Sequence, residues 1–268
     1  MTVLKECRAK IPAICRVHGV NFVSTIDTKT GTFLHNPANN PEQAFKDSQN
    51  YKLLLDKKEQ AALSAYADQA YTKIGEHIYG KQEHEVSQLV QSMDSALKKQ
   101  EKIAGSNDRI VYRATKLFDE KFTTPEEAAS YVNDKFKVGE EITINGYMST
   151  TANPEALFDF MPQSYEDLPP SIGMFGFKDR AHYAELNQGY DAGLSNIVYE
   201  IETPSGAPLA SFGHSHADKE QEYLLGRNKS FIVLEVIPNQ LLINPNEQTH
   251  VSVKKKHATV IRLKEVMH

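Results

Sequence analysis

The sequence predicts an α+β fold, with helices first and strands after. Apolar residues recur at helical spacing from Pro41 to about Ile103, and from Ile110 onward the texture changes to short alternating runs broken by turn residues. The breaker Gly105-Ser106-Asn107-Asp108 separates the two regimes. The expected organisation is an N-terminal segment, residues 1–40, carrying a small hairpin, followed by a single domain over 41–268. Within that domain, 41–104 form a helical layer and 105–268 a strand-rich core. The two parts are expected to fold as one unit, because amphipathic stripes need another element to bury against.

In chain order, residues 19–35 read as the hairpin. Val20, Phe22 and Ile26 stand among polar residues, Asp27-Thr28-Lys29-Thr30-Gly31 is a turn, and Thr32-Phe33-Leu34 follows. Asn40-Pro41-Glu42 is a helix start, with Asn40 as cap and Pro41 in the first turn. Ala44, Tyr51, Leu54 and Leu55 begin one stripe. Leu63, Tyr66, Ala70, Tyr71, Ile74 and Ile78 continue a second until Gly80, and Val86, Leu89, Val90, Met93 and Leu97 form a third. Strands are expected at 110–115, 141–150, 197–202, 207–212, 222–225, 230–236, 241–243 and 259–266, with a short helix starting at Thr124-Pro125. Residues 152–193 hold seven aromatic residues and no sustained period. Irregular segments of that length are often functional.

Composition narrows the function classes. The 268 residues carry a net charge of −5, with 40% hydrophobic and 24% charged residues, as in an ordinary soluble domain. No strong positive field attracts phosphates, so general nucleic-acid binding is not expected. No apolar run approaches the roughly 18 residues of a membrane span. Ile11-Pro12-Ala13-Ile14 is too short and too broken for a signal-peptide core. Cys7 and Cys15 form no disulfide framework.

Three polar features are poor core design. Arg113 lies inside the strand pattern Ile110-Val111-Tyr112-Arg113, and Ser149-Thr150-Thr151 ends the strand after Gly146-Tyr147-Met148. Glu220 and Glu222 lie two residues apart, and on an extended backbone such residues project to one side, where like charges repel. Each has a plain structural reading: an outward-facing strand arginine, a Ser/Thr turn, a surface glutamate. Together they point to one polar cleft. A competing reading makes His214, His216 and Glu220 the ligands of a metal-dependent hydrolase. Against it, no further Cys/His cluster lies nearby and the run is not helical, so no metal is expected.

Arg, then a Ser-Thr-Thr strand, then Glu-x-Glu resembles the R-S-E class of mono-ADP-ribosyltransferases, the class of many bacterial toxins and effectors. The stretch from Leu63 to Gly80 looks like the tyrosine-rich helix those proteins carry upstream of the arginine strand. Here Gly75 stands where Asn is common, and Ile78-Tyr79-Gly80 replaces Leu-Arg-Gly. The resemblance spans roughly residues 50–240. It implies two packed, mostly antiparallel sheets that hold NAD between them. Arg113 would hold the NAD phosphates and the nicotinamide-side ribose, with Tyr112 beside it. Ser149 would hydrogen-bond the catalytic Glu222, and Thr150 and Thr151 would support it. Phe158 or Phe160 would pack on nicotinamide.

The same resemblance places Glu220 on the acceptor side and makes 213–219 a mobile turn that presents the acceptor. Phe212, His214 and His216 are then substrate contacts. It implies NAD as co-substrate without a metal, and a host protein as partner. A glutamate at the first position of Glu-x-Glu tracks arginine acceptors, while one branch of such effectors modifies a threonine of ubiquitin; a GTPase or a cytoskeletal protein are further acceptor types. Delivery would be secretion by a non-classical route into host cytoplasm. An NAD glycohydrolase and an inactive binding module with the same fold stay open. Ser149 and Glu222 are 73 residues apart, longer than in the compact members, and the extra length lies in 152–193.

Overall fold

The computed structural model describes residues 14–17, 20–70, 85–103, 108–116, 125–161, 196–213, 217–243 and 255–267. Two short strands, β1 (Ile14–Val17) and β2 (Val20–Val23), pair with each other. The other described strands form one sheet. They are β3 (Ile26–Asp27), β4 (Thr32–Phe33), β5 (Arg109–Lys116), β6 (Glu141–Ile144), β7 (Met148–Thr151), β8 (Asn196–Thr203), β9 (Ala207–Pro208), β10 (Glu222–Leu225), β11 (Lys229–Ile243) and β12 (Lys255–Glu265). The order is β3-β4-β11-β12-β8-β5-β7-β10-β9, with β6 paired to β11 off this path. All pairs are antiparallel except β11–β4 and β12–β8.

Among the described residues these strands form one ten-stranded sheet, in which the two packed sheets that the resemblance implies are not resolved as separate. Its halves are joined narrowly. Strands β5 and β7 share one register pair, Tyr112 with Thr151, whereas β5 and β8 pair along eight residues. Arg113 and Ser149 meet across this narrow join. Strand β11 also differs from expectation. The sequence predicts two strands here, because Pro238 cannot donate to a ladder and Asn239 favours a turn. The chain instead absorbs both as an irregularity in one strand, with a register shift between Ile237 and Gln240 and Asn239 at φ 49°.

The helices are α1 (Pro41–Lys52), α2 (Lys57–Ala65), α3 (Glu85–Ile103), α4 (Pro125–Lys135), α5 (Pro154–Phe160) and the four-residue α6 (Ala217–Glu220). Asn40 caps α1 as the sequence predicts, its side chain accepting from the backbone N–H of Gln43. A π-helical turn, Tyr66–Ala70, continues α2. Tyr51, Leu63, Tyr66, Val90, Met93 and Leu97 from these helices form one apolar cluster with Leu209, Phe212 and Leu224. The helices therefore pack beside β10, the strand that carries Glu222. On the larger part of the sheet, alternate strand residues serve opposite faces. Val111, Ile201, Ile261 and Leu263 pack with Val132 and Phe136 of α4 and its C-terminal flank. Tyr112, Val198 and Val260 pack with Phe33 and with Leu157 and Phe158 of α5.

Between α2 and α3 lies a buried carboxylate. Glu59 closes a capping box with Asp56 and accepts from Ser95 Oγ at 2.7 Å and Lys99 Nζ at 2.6 Å. Burial pushes its pKa up, but the donors of Lys99, Ser95 and the Asp56 backbone outweigh burial and hold it below the ordinary 4.5. A lowered carboxylate pKa contributes stability above the unfolded value and loses it as pH falls through the folded value. Glu59→Gln should therefore cost on the order of 1–2 kcal/mol at neutral pH. The gap to wild type should narrow as pH falls from neutral through the lowered folded value, where the wild-type carboxyl is protonated too. Urea unfolding across that pH range checks this, and a gap independent of pH contradicts it.

The sheet centre holds a second ionic group. Arg262 on β12 is 1% exposed and sits in register with Glu200 on β8, which is fully buried. Its Nε donates to Glu200 at 2.8 Å, one terminal nitrogen donates to Glu235, and the other to Ser24 Oγ and the carbonyl of Ile26. Glu200 also accepts from the backbone N–H and the hydroxyl of Thr25, at 2.7 and 2.8 Å. Thr25 Oγ1 in turn bonds the hydroxyl of Tyr112. The network ties the N-terminal segment to β5, one residue from Arg113.

Candidate active site

The local fold brings Arg113, Ser149 and Glu222 together. Strands β7 and β10 pair with Ser149 opposite Leu224 and Thr151 opposite Glu222, so Ser149 and Glu222 are diagonal neighbours on one face. Ser149 Oγ donates to Glu222 Oε1 at 2.5 Å. Arg113 Nη1 donates to the carbonyl oxygen of Ser149 at 2.8 Å. Ser149 is thus a hinge piece whose carbonyl anchors the guanidinium and whose hydroxyl anchors the carboxylate. All three residues are half-buried, while their chain neighbours Tyr112, Thr150 and Tyr223 are buried. Strand alternation produces this pattern: polar positions face the opening and the others face the core.

The environment suits an anionic substrate held next to a carboxylate. Tyr199 lies opposite Arg113 across β5–β8. Burial pushes its phenol up to about 12, partly offset by the Arg113 charge, so it stays protonated at neutral pH. The hydrogen bond from Ser149 holds one carboxylate oxygen of Glu222 against β7. A guanidinium offers a planar fork for phosphate oxygens.

The remaining predicted residues are placed differently. Tyr112 is fully buried, bonded through its hydroxyl to Thr25 and packed edge-on against Phe33 at 5.5 Å. Its ring is on the face of β5 opposite Arg113. Phe158 is likewise buried against Phe33, at 6.1 Å, whereas Phe160 on the same short helix is exposed. Phe212 is buried between Tyr51 and the ammonium of Lys52, not open to a partner. Thr150 Oγ1 donates to the carbonyl of Tyr223 at 2.6 Å, and Thr151 Oγ1 donates to the carbonyl of Glu220. Both hydroxyls are engaged with the backbone of 220–223. His214 and His216 lie outside the described residues, as do 71–84 of the tyrosine-rich stretch and 162–195 of the long insertion. Among the described residues, no group of three or more His, Cys, Asp or Glu side chains could hold a metal.

The two glutamates do not share a strand. Glu220 ends α6, and Gln221 turns the chain with φ at 43°, in the left-handed region. Only then does β10 begin at Glu222. Period-two alternation therefore does not relate the pair; a tight turn does. Gln221 itself is 1% exposed, and its Nε2 donates to Asn39 Oδ1 at 2.7 Å. Asn36, also buried, donates to the carbonyls of Ile110 and Ala152, at 3.1 and 2.9 Å. Neither asparagine is among the residues that the sequence singles out. The run Asn36-Pro37-Ala38-Asn39-Asn40, three Asn in five residues, is the available signal.

The ADP-ribosyltransferase exoenzyme family matches the chain over residues 43–266. No curated protein matches it in sequence. Its fold is similar to the enzymatic component C2-I of the C2 toxin from Clostridium botulinum, with a TM-score of 0.53 at 16% identity, over 94% of this chain and 53% of that one. The chain thus spans about half the length of C2-I. The C3 exoenzyme of Clostridium limosum has a TM-score of 0.52 at 15% identity, over 85% of this chain and 95% of its own. BECa, an ADP-ribosylating toxin of a binary enterotoxin of C. perfringens solved with NADH, has a TM-score of 0.54 at 14% identity, over 94% and 54%. At such identities the likeness is one of fold. The family match covers most of the sequence, and the chain belongs to the ADP-ribosyltransferase exoenzyme family.

Proposed function

We propose that the chain cleaves NAD at the nicotinamide–ribose bond and transfers ADP-ribose to a side chain of a host protein. The observation that carries this reading is the linked set Arg113–Ser149–Glu222, with its 2.5 Å bond between Ser149 and Glu222. Family membership and the NADH held by BECa support a nicotinamide dinucleotide as substrate. Arg113 grips phosphate oxygens. The C1′–N bond breaks, its electron pair leaves with neutral nicotinamide, and positive charge grows on the ribose ring as in glycoside cleavage. Glu222 accepts a hydrogen bond from the ribose 2′-hydroxyl and stabilises that charge. The acceptor attacks C1′, and Glu220 takes the proton it loses.

The Glu-x-Glu arrangement supports arginine as acceptor, since a guanidinium needs a base or acceptor beside it to become nucleophilic. Threonine of ubiquitin and side chains of a GTPase or a cytoskeletal protein are the competing acceptors, and mass spectrometry of a labelled band separates them. The place of action is the cytoplasm of a target cell, reached by non-classical secretion. No helix among the described residues is long and apolar enough to cross a membrane.

Glu220→Ala separates the two halves of the reaction. Nicotinamide release should persist within a few-fold, because Glu222 keeps Ser149 and its strand, while protein labelling should fall by about 10²-fold or more with loss of the base. Release is read by chromatography and transfer by label from biotinylated NAD in a eukaryotic lysate. Equal losses in both would place Glu220 in bond cleavage and overturn its acceptor role.

A further inference from the structure

The stretch 36–52, which straddles the start of the span shared with the family, holds both ends of the segment that leads into the glutamates. At the near end, Ser48 Oγ and Ser211 Oγ bond at 2.8 Å, the backbone N–H of Ser211 donates to Ser48 Oγ at 2.9 Å, and Lys52 Nζ donates to the carbonyl of Ser211 at 3.2 Å. At the far end, Asn39 Oδ1 accepts from Gln221 Nε2 at 2.7 Å. The turn carrying Asn39 is itself fixed: Asn39 N–H donates to the Asn36 carbonyl at 2.9 Å, and Ala38 N–H to Asn36 Oδ1 at 3.1 Å. Asn36 donates in turn to the carbonyl of Ala152, whose N–H donates to the carbonyl of Gln221 at 3.2 Å. A closed ring of hydrogen bonds thus surrounds the one residue between Glu220 and Glu222.

That residue needs such support. A left-handed backbone is unfavourable for a side chain larger than hydrogen and persists where its surroundings over-determine it. The side chain of Gln221 is buried and anchored through its Nε2 by Asn39. Glu222 has a second anchor, its β10 pairing to Thr151 and its bond from Ser149. The carbonyl of Glu220 rests on the Thr151 hydroxyl, so the direction of its carboxylate depends on the turn.

Resting on the function proposed above, we propose that Asn39 is a positioning residue for the acceptor half of the reaction. Through Gln221 it sets Glu220 relative to Glu222 and so governs how ADP-ribose is divided between a protein side chain and water. The serine contacts at 211 do the same for the opposite end of the segment. The clip acts on transfer, while bond cleavage stays with Arg113, Ser149 and Glu222.

The test compares wild type, Asn39→Ala and Asn39→Asp on two readouts, nicotinamide released from NAD and biotin label placed on proteins of a eukaryotic lysate. In Asn39→Ala the ratio of label to nicotinamide should fall about tenfold, the scale of a small misplacement of a reacting group, with nicotinamide release within about twofold of wild type. Asn39→Asp keeps an acceptor for Gln221 Nε2 and should restore the ratio. Parallel loss of both readouts, or an unchanged ratio in Asn39→Ala, overturns the inference and leaves the transferase reading standing. Wild-type protein that cleaves NAD and labels no protein also overturns it, since there is then no transfer for the clip to govern. Wild-type protein that releases no nicotinamide overturns the proposed function and this inference with it.

Discussion

Glu222→Gln should lower nicotinamide release from NAD by about 10²–10³-fold, the cost of removing a preorganised charge-stabilising group from a transition state. The substitution is close to isosteric. The amide oxygen still accepts from Ser149 Oγ, and the pairing of β10 with β7 and β9 is untouched. Glu222 is half-buried at a strand start, so folding should change little. The loss is therefore one of charge alone, and it should appear in kcat more than in KM, because the ribose carries its positive charge only in the transition state. Arg113→Ala should show the opposite balance, with a raised KM for NAD, since a guanidinium on phosphate acts in the ground state as well. A Glu222→Gln protein with wild-type kcat would remove Glu222 from the catalytic role.

Arg262→Met should destabilise the fold by about 3–5 kcal/mol, the cost of leaving a buried charge without its partner. Glu200 is fully buried, and Arg262 supplies its ionic partner, so the carboxylate would be stranded in the sheet. Burial pushes the Arg262 pKa down, but Glu200 and Glu235 pull it up by more, and the guanidinium stays charged in the fold. Ser24 Oγ and the Ile26 carbonyl would also lose the guanidinium that ties them to β12. Replacing both members, as Arg262→Met with Glu200→Leu, should recover a large part of the loss, because apolar side chains in place of a buried ion pair are often neutral. Glu235 is only partly buried and can turn to water. Chemical denaturation of the three proteins measures this. A single variant within about 1 kcal/mol of wild type would show that water reaches Glu200 and that the network is not closed.

Much of the fold is legible from local signals. Asn40-Pro41 announces α1 because a cap and a fixed φ are properties of the residues themselves. Glu222–Leu225 reads correctly as a strand for the same reason, and the three polar oddities lead to Arg113, Ser149 and Glu222, which the fold brings together. What fails depends on contacts remote in sequence. Gln221 is left-handed because Asn39 and Ala152, 182 and 69 residues away, hold it, and no property of Glu-Gln-Glu reveals that. The resemblance makes Phe212 a substrate contact, whereas here its ring packs against Tyr51 and Lys52 of α1. Tyr112 flanks the arginine in sequence but alternates to the other face. The Glu200–Arg262 pair does leave a trace. Each interrupts an apolar run, Ile197-Val198-Tyr199-Glu200-Ile201 and Val260-Ile261-Arg262-Leu263, and each is followed two residues on by a second charge of the same sign, Glu202 and Lys264. Opposite charges at matching spacing in two core strands fit strands that lie side by side.

One linked site, built from β5, β7 and β10, is proposed to move ADP-ribose from NAD to a protein. The most direct measurement incubates the chain with biotin-labelled NAD and a eukaryotic cell lysate, beside the Glu220→Ala/Glu222→Ala double variant. Wild type should give a discrete labelled band with nicotinamide released in step with it, and the double variant should give neither. No label and no nicotinamide from folded wild-type protein would contradict the proposal and remove NAD chemistry from this site.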